Sequence, residues 1–129
     1  MAEKDVVRTD RAPGPFQGAP YNQAIRVGDL VFVAGQLGIS LETGALAGAG
    51  VAEQTEQIMK NLGAILEAAG SGLDKLVKTT VFLMDLADFA AMNEVYAAHV
   101  GDRPPARSTI QISGLPSGAL VEIEAVGHT

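Results

Sequence analysis

Two stretches of the chain carry apolar residues at helical spacing. The first stretch stops at Gly70, a residue type that commonly terminates helices. Its apolar members are Ile58, Met59, Leu62, Ile65, Leu66 and Ala69. The second stretch runs over residues 88–99, and its apolar stripe is Phe89, Met92, Tyr96 and Val100. Because residues three and four apart share one side of a helix, both stretches predict amphipathic helices.

Runs rich in β-branched residues predict a hairpin in the first third of the chain. Residues 24–27 and 30–34 flank the pair Gly28-Asp29, which is typical of a tight turn between two antiparallel strands. Gly35-Gln36 ends the second of these strands, and a glycine at that point is compatible with a bulge that frees backbone groups for a ligand.

Three further strands are predicted in the second half of the chain. The second half of residues 76–83 is apolar at every position, not only at alternate ones, which indicates burial on both faces. Residues 106–112 and 120–126 form the last two strands, joined by a turn of glycine, proline and serine at 114–118.

These elements predict one α+β domain spanning residues 1–129, with two helices and five or six strands. Two helices can cover only one face of such a sheet, so the other face must meet solvent or another copy of the chain. The apolar run at 81–84 favours the copy, and a homo-oligomer is therefore expected.

Composition removes several classes of function. Aromatic residues make up 5% of the chain, there is no cysteine, and fifteen acidic against nine basic residues give a net charge of −6. Thiolate chemistry is thus excluded, and nothing suggests the basic surface of a nucleic-acid binder. His99 and His128 stand far apart, which makes a poor case for a metal site. No signal peptide or membrane-spanning run is recognisable, so a soluble cytoplasmic protein is expected.

One arginine and two glutamates are the main candidates for chemistry. Pro104 and Pro105 cannot lie inside a helix, so they deliver Arg107 to the start of a strand at the rim of the sheet. A guanidinium there suits a small carboxylate. Glu122 and Glu124 share one face of the last strand. If the last two strands paired, Arg107 could face a glutamate; a structural salt bridge with Glu124, or charges on a solvated edge, are the simpler alternatives.

The ordered segments together resemble the reactive intermediate deaminase family, called Rid or YjgF, over nearly the whole chain. The segments that carry the resemblance are residues 20–24 (PYNQA), 28–36 (GDLVFVAGQ), 61–70, 77–83 (VKTTVFL), 88–89, 93–96 (NEVY), 105–108 (PARS) and 122–125 (EIEA). So many matches in the same order are far more specific than one short motif.

The resemblance implies a fold, an assembly and a reaction. It implies a chorismate-mutase-like two-layer fold, assembled as a homotrimer with ligand sites in the clefts between subunits. It also implies hydrolysis of 2-imino acids, such as 2-iminobutanoate and 2-iminopropanoate, to 2-keto acids and ammonia. Members of the family need no cofactor and no metal, and their partner is a small imino or keto acid rather than nucleic acid or membrane.

The resemblance also implies roles for particular residues. Arg107 matches the arginine that holds the substrate carboxylate, and Glu122 matches the glutamate that positions or activates water. The other implied contacts to substrate are Tyr21, Gly35, Asn93 and Thr109. Without the resemblance, Tyr21 would be interpreted as a packed loop aromatic and Asn93 as an exposed helix residue.

Ala34 is also implied to line the substrate site, but it departs from the family pattern, because many deaminating members carry a serine there whose hydroxyl faces the ligand. The loss of that hydroxyl removes a hydrogen bond of about 0.5–1.5 kcal/mol while the backbone amide is expected to stay available to a ligand.

Two alternative functions remain open. One is a carboxylate-binding or chaperone-like trimer without significant turnover. The other is a ribonuclease or translation inhibitor, which the net charge of −6 disfavours.

Overall fold

The computed structural model describes residues 3–129, which form six β-strands and two α-helices. The strands are β1 (Lys4–Val7), β2 (Ala24–Val27), β3 (Leu30–Leu37), β4 (Leu76–Leu83), β5 (Ala106–Gln111) and β6 (Val121–His128). The helices are α1 (Val51–Ala68), between β3 and β4, and α2 (Phe89–Val100), between β4 and β5. The predicted hairpin, both helices and the later strands are all present, which confirms the α+β class.

The strands form one mixed sheet in the order β1-β2-β3-β6-β4-β5. β6 lies in the middle and runs antiparallel to both β3 and β4, while β5 runs parallel to β4 at the edge. The pairing of the last two strands considered from the sequence is therefore wrong. The connection over residues 112–120 easily spans the roughly 10 Å across one intervening strand, and it allows β6 to pair along both edges.

Both helices pack on the same face of the sheet, here called the helix face, and their buried side chains form the core with it. Fully buried core residues include Val31, Ile58, Met59, Leu62, Ile65, Leu66, Val81, Leu83, Met92, Val121 and Ile123. Burying one such side chain contributes about 1.5–3 kcal/mol. α1 ends at Ala68, just before Gly70, so the predicted helix stop is confirmed. Gly70 has a φ of +83°, a conformation that residues with a Cβ rarely adopt.

The predicted stripe of α2 is confirmed at Met92, Tyr96 and Val100, which are all buried. Phe89 is the exception, because its side chain remains 42% exposed. It occupies the first residue of α2, close to the edge strand, and its ring lies against Arg107 rather than in the core.

The other face of the sheet, here called the open face, carries apolar side chains that the described chain leaves uncovered. Phe32 is 45% exposed and Ile110 is 46% exposed. In β4, Val81 and Leu83 are buried on the helix face, whereas Phe82 on the open face is only partly buried. Within one chain β4 is thus fully buried on the helix face only. Its burial on the open face by a second copy stays a prediction.

Candidate functional site

Arg107 is held between two aromatic rings at the edge of the helix face. In the parallel pair of β4 and β5 it lies opposite Thr79, a fully buried residue beneath α2. Its guanidinium carbon is 4.9 Å from the centroid of the Tyr96 ring and 5.4 Å from that of Phe89. Cation–π attraction at these distances helps to orient the guanidinium.

A buried hydroxyl pair fixes the larger of the two rings. The hydroxyl oxygens of Tyr96 and Thr79 are 2.6 Å apart inside the protein. Burial raises the pKa of the Tyr96 phenol, although the hydrogen bond with Thr79 and the nearby charge of Arg107 act in the opposite direction. Tyr96 consequently stays neutral at physiological pH and gives Arg107 a π-face rather than a counter-charge.

No carboxylate of the described chain neutralises Arg107. Over residues 3–129 the contacts between basic and acidic side chains join Arg11 to Glu67 and the His99 imidazole to Glu56. The structural salt bridge between Arg107 and Glu124 that the sequence left open is therefore not formed. An oriented guanidinium without an acidic partner is suited to bind a small carboxylate.

Asn93 and Thr109 lie on the same side of the molecule as Arg107. Asn93 is four residues after Phe89 and three before Tyr96, so it shares their side of α2. Its Oδ1 atom is buried and has no hydrogen-bond partner, which is uncommon in a folded protein. Thr109 follows Arg107 by two positions along β5 and so points to the same face. Arg107, Asn93 and Thr109 thus form one group, here called the arginine group.

Glu122, by contrast, lines a small cavity on the other side of the sheet. The cavity has a volume of about 110 Å³, and Tyr21, Gly35 and Glu122 are among its lining residues. The Tyr21 hydroxyl accepts a hydrogen bond from the Phe16 N–H, which keeps the phenol at the rim. These three residues are here called the glutamate group.

A bulge in β3 makes room for the Glu122 carboxylate. The register between β3 and β6 shifts between Val33 and Gln36, so the bulge predicted at Gly35 is confirmed. A Cβ atom on Gly35 would lie only 2.5 Å from Oε1 of Glu122. Glycine is therefore the residue that lets the carboxylate lie directly against the strand.

The environment of Glu122 makes it a better base than an exposed carboxylate. Burial raises the pKa of Glu122, and the negative charge of Glu124 on the same face raises it further. A carboxylate with a raised pKa accepts a proton more readily near neutral pH. The predicted shared face of Glu122 and Glu124 is confirmed by their register with Phe82 and Thr80 on β4.

The backbone amide of Ala34 is already hydrogen-bonded within the chain, which the sequence did not predict. Its side chain is partly buried in the bulge, but its backbone N–H donates to the carbonyl oxygen of Gln23 at 2.9 Å. The amide is therefore not available to a ligand, contrary to expectation, because the antiparallel pairing of Ala24 with Val33 continues by one position to Gln23 and Ala34. Neither the hydroxyl that a serine would carry nor a free amide is present at this position.

The arginine group and the glutamate group lie on opposite faces of the sheet. Arg107 is in register with Thr79 on the helix face, whereas Glu122 is in register with Phe82 on the open face. Because side chains alternate along a strand, no rotamer within one chain brings both groups to one small molecule. Within one copy of the chain the two groups are therefore separate.

Sequence reasoning missed three contributors to the arginine group. Phe89 and Tyr96 were interpreted as part of an apolar stripe, and Thr79 as an ordinary residue of a buried strand. The sequence did contain a signal for Thr79 and Tyr96. A threonine inside an apolar run and a tyrosine inside a core stripe each bury a hydroxyl that needs a hydrogen-bond partner.

Across residues 3–129, no cluster of three or more histidine, aspartate or glutamate side chains could hold a metal ion. Within the same range, no helix combines the length and apolar character needed to cross a membrane.

Comparison with known proteins relates this architecture to one family. Residues 11–129 match the family described as Endoribonuclease L-PSP. A RutC family protein of Pyrococcus abyssi is 47% identical over 125 residues, covering 97% of both chains. The human 2-iminobutanoate/2-iminopropanoate deaminase is 43% identical over 121 residues, covering 94% of this chain and 87% of the human protein.

A solved structure extends the similarity to three dimensions. The crystal structure of TdcF from E. coli with bound serine superimposes with a TM-score of 0.88 at 37% identity, covering 97% of this chain and 98% of TdcF. The agreement confirms the chorismate-mutase-like two-layer fold that the resemblance implied. Sequence and fold together show that the chain belongs to the Rid (YjgF) family.

Proposed function

We propose that this protein hydrolyses 2-imino acids, including 2-iminobutanoate and 2-iminopropanoate, to 2-keto acids and ammonia. The observation that carries the proposal is the arginine group: an oriented guanidinium with no carboxylate partner within the described chain. Support comes from mammalian relatives named 2-iminobutanoate/2-iminopropanoate deaminase and from a plant relative named Reactive Intermediate Deaminase A. A solved relative with bound serine, a small amino acid, adds to it.

The proposed reaction divides between the two groups. Arg107 holds the substrate carboxylate as a bidentate pair and so fixes the imine carbon. Glu122 takes a proton from a water molecule as the water oxygen bonds to that carbon. The C=N π electrons of the protonated imine move to nitrogen and form a neutral tetrahedral carbinolamine. Glu122 then returns the proton to the amino nitrogen. The C–N bond breaks and ammonia leaves as the carbonyl forms, and the hydroxyl proton passes to the Glu122 carboxylate. A positioned base typically contributes about 10² to 10⁴-fold.

The proposal includes an assembly in which each site is shared. Because Arg107 and Glu122 lie on opposite faces of one sheet, the arginine group of one copy must meet the glutamate group of a neighbour. A closed ring of copies related by rotation satisfies this requirement at every interface, and the homotrimer expected from the resemblance is such a ring. The uncovered apolar side chains of the open face, such as Phe32, favour association of copies.

A mixing experiment tests the shared site directly. Arg107→Ala and Glu122→Gln are each expected to abolish hydrolysis as separate proteins. Co-expressed in equal amounts, they form mixed assemblies in which about one quarter of the interfaces combine an intact arginine with an intact glutamate. Activity should return to that level, measured as suppression of semicarbazone formation while threonine dehydratase generates 2-iminobutanoate. Activity that never returns on mixing would contradict a site built from two copies.

A carboxylate-binding protein without turnover is the second candidate, and the surroundings of Ala34 favour it. The position offers no hydroxyl, and its amide is already bonded to Gln23. Binding of 2-oxobutanoate by the wild-type protein, without acceleration of imine hydrolysis, would support this alternative. The ribonuclease function that the family description names is disfavoured by the net charge of −6. A cytoplasmic location also stays a prediction.

A further inference from the structure

Two amide side chains are buried on the side of α1 that packs against the rest of the protein. Gln54 is 1% exposed and Asn61 is 2% exposed, although residues of both types are mostly exposed in proteins. They are seven residues apart, close to two helical turns, so they share one side of α1 with core residues such as Ile58. Gln54 and Asn61 are here called the amide pair.

Gln54 connects α1 to the backbone at the start of β6. Its Oε1 atom accepts a hydrogen bond from the Leu120 N–H at 2.8 Å, and its Nε2 atom donates to the Gly48 carbonyl oxygen at 3.0 Å. Leu120 is two residues before Glu122, and its own carbonyl oxygen accepts a hydrogen bond from the Met84 N–H at 3.0 Å. The backbone is thus held on both sides at the point where β6 enters the sheet.

Asn61 connects α1 to the strand against which Glu122 lies. Its Nδ2 atom donates to the carbonyl oxygens of Leu37 at 3.3 Å and of Ile39 at 3.1 Å. Gln57 donates to the Oδ1 atom of Asn61 at 2.9 Å, which orients the amide. Leu37 is the register partner of Glu122, and Leu37 and Ile39 both line the cavity that contains it. Asn61 therefore holds one wall of that cavity.

Stability alone gives little reason for the amide pair. Because folding exchanges hydrogen bonds to water for internal ones, a buried amide adds little net stability over an apolar side chain of similar shape. A fully bonded polar network does, however, fix one arrangement of the segments that it joins. The segments joined here contain Leu37 and Leu120, which stand on either side of Glu122 in the sheet and along the chain.

We propose that the amide pair positions the Glu122 carboxylate, so that Gln54 and Asn61 are positioning residues for the hydrolysis. The inference rests on the proposed function, because it assigns to both residues an effect on the base of that reaction. Arg107 lies on β5, which the hydrogen bonds of the amide pair do not reach. Loss of either amide should therefore slow proton transfer without weakening the hold on the substrate carboxylate.

The first test compares the kinetics of three α1 variants. Gln54→Met and Asn61→Leu replace each amide by an apolar side chain of similar shape. Each is expected to lower kcat for 2-iminobutanoate by roughly 10- to 100-fold and to leave KM within about twofold. Ile65→Val is the matched control, because Ile65 is fully buried in the same helix and its truncation also lowers stability. Its kcat should equal that of the wild type.

A milder variant keeps the test decisive if the first two fold poorly. Gln57→Leu removes only the hydrogen bond that orients the Asn61 amide, and Gln57 is partly exposed on α1. Its kcat should fall by roughly two- to tenfold at unchanged KM, the equivalent of one hydrogen bond. Unchanged kcat in every variant of Gln54, Gln57 and Asn61 that folds, a rise in KM alone, or an equal loss of kcat in Ile65→Val overturns the positioning role.

A titration without substrate separates failure of this inference from failure of the proposed reaction. The carbon-13 NMR signal of the Glu122 carboxyl, identified by its absence in Glu122→Gln, is followed against pH. Burial raises the pKa of Glu122, and a loosened carboxylate is better hydrated, so the midpoint should fall in Gln54→Met and Asn61→Leu. It should stay unchanged in Ile65→Val, and Glu124, the charge that also raises this pKa, is the same in all of these proteins.

The two measurements together give distinguishable outcomes. Hydrolysis by the wild type, with kcat or the Glu122 midpoint unchanged in Gln54→Met and Asn61→Leu, overturns the positioning role and leaves the deaminase standing. No hydrolysis by the wild type, but a lowered midpoint in both variants, overturns the deaminase and supports the positioning of the carboxylate. No hydrolysis and an unchanged midpoint overturn both.

Discussion

Gly35→Ala should inactivate the protein while leaving it folded, because the added methyl group would displace one carboxylate. The new Cβ would lie 2.5 Å from Oε1 of Glu122, 2.9 Å from its Cδ and 3.2 Å from its Cγ. Ordinary contacts to a Cβ begin at 3.4 Å. The carboxylate must therefore withdraw by roughly 1 Å, and a misplacement of that size costs about 10²-fold in rate.

The same geometry predicts little loss of stability in Gly35→Ala. The methyl group meets only the end of a flexible side chain, which can adopt another rotamer at about 0.5–1.5 kcal/mol. Replacing a glycine also lowers the entropy of the unfolded chain, which returns about 0.4–1 kcal/mol. The free energy of unfolding should consequently change by less than about 1 kcal/mol.

Gly38→Ala is the matched control, because there the methyl group meets backbone. Its Cβ would lie 2.6 Å from the carbonyl oxygen and 2.8 Å from the Cα of Gln54, which belongs to α1. The helix would have to shift, and overpacking of this kind costs about 1–3 kcal/mol. Urea denaturation and imine hydrolysis are measured on both variants. Full activity in Gly35→Ala, or equal destabilisation of the two variants, would refute the assigned position of the Glu122 carboxylate.

Two further predictions concern Arg107 and Glu122. Phe89→Leu removes one of the two rings over Arg107. Since an exposed cation–π contact is worth about 0.5–1 kcal/mol, the KM of this variant should rise about two- to fivefold at unchanged kcat. Phe89→Tyr keeps a ring and should restore the wild-type KM. A fall in kcat alone would contradict this role. Because burial and Glu124 raise the pKa of Glu122, and only the ionised carboxylate acts as base, activity should be lost as pH falls through that raised pKa. Glu124→Gln removes the second cause, so the acid limb of the pH–rate profile should move to lower pH; an unmoved limb would show that Glu122 is not the titrating base.

The sequence predicted local elements well, because their signals are local. Helical spacing located the core side of α1, and the double proline correctly brought Arg107 to the start of an edge strand. The bulge at Gly35 was also predicted, since a glycine at the end of a strand has few other reasons to be there.

The neighbours of each strand could not be predicted from the same signals. Alternation indicates which side chains share a face, but pairing depends on contacts between residues far apart in the chain. The residue pattern therefore did not show that Arg107 and Glu122 lie on opposite faces, although the resemblance had implied sites between subunits. For the same reason Tyr96 was identified as a core residue, while its contact with the guanidinium became visible only in the fold.

The central position of β6 has a consequence for how the chain is made. β6 is the last of the described strands to be synthesised, yet it lies between β3 and β4, which precede it. Until it emerges from the ribosome, β3 and β4 each have an unpaired edge of the kind that promotes aggregation. The strand that completes the sheet also carries Glu122. A nascent or truncated chain without β6 therefore lacks a stable fold and the proposed base together, so it cannot enter an assembly as a folded but inactive copy.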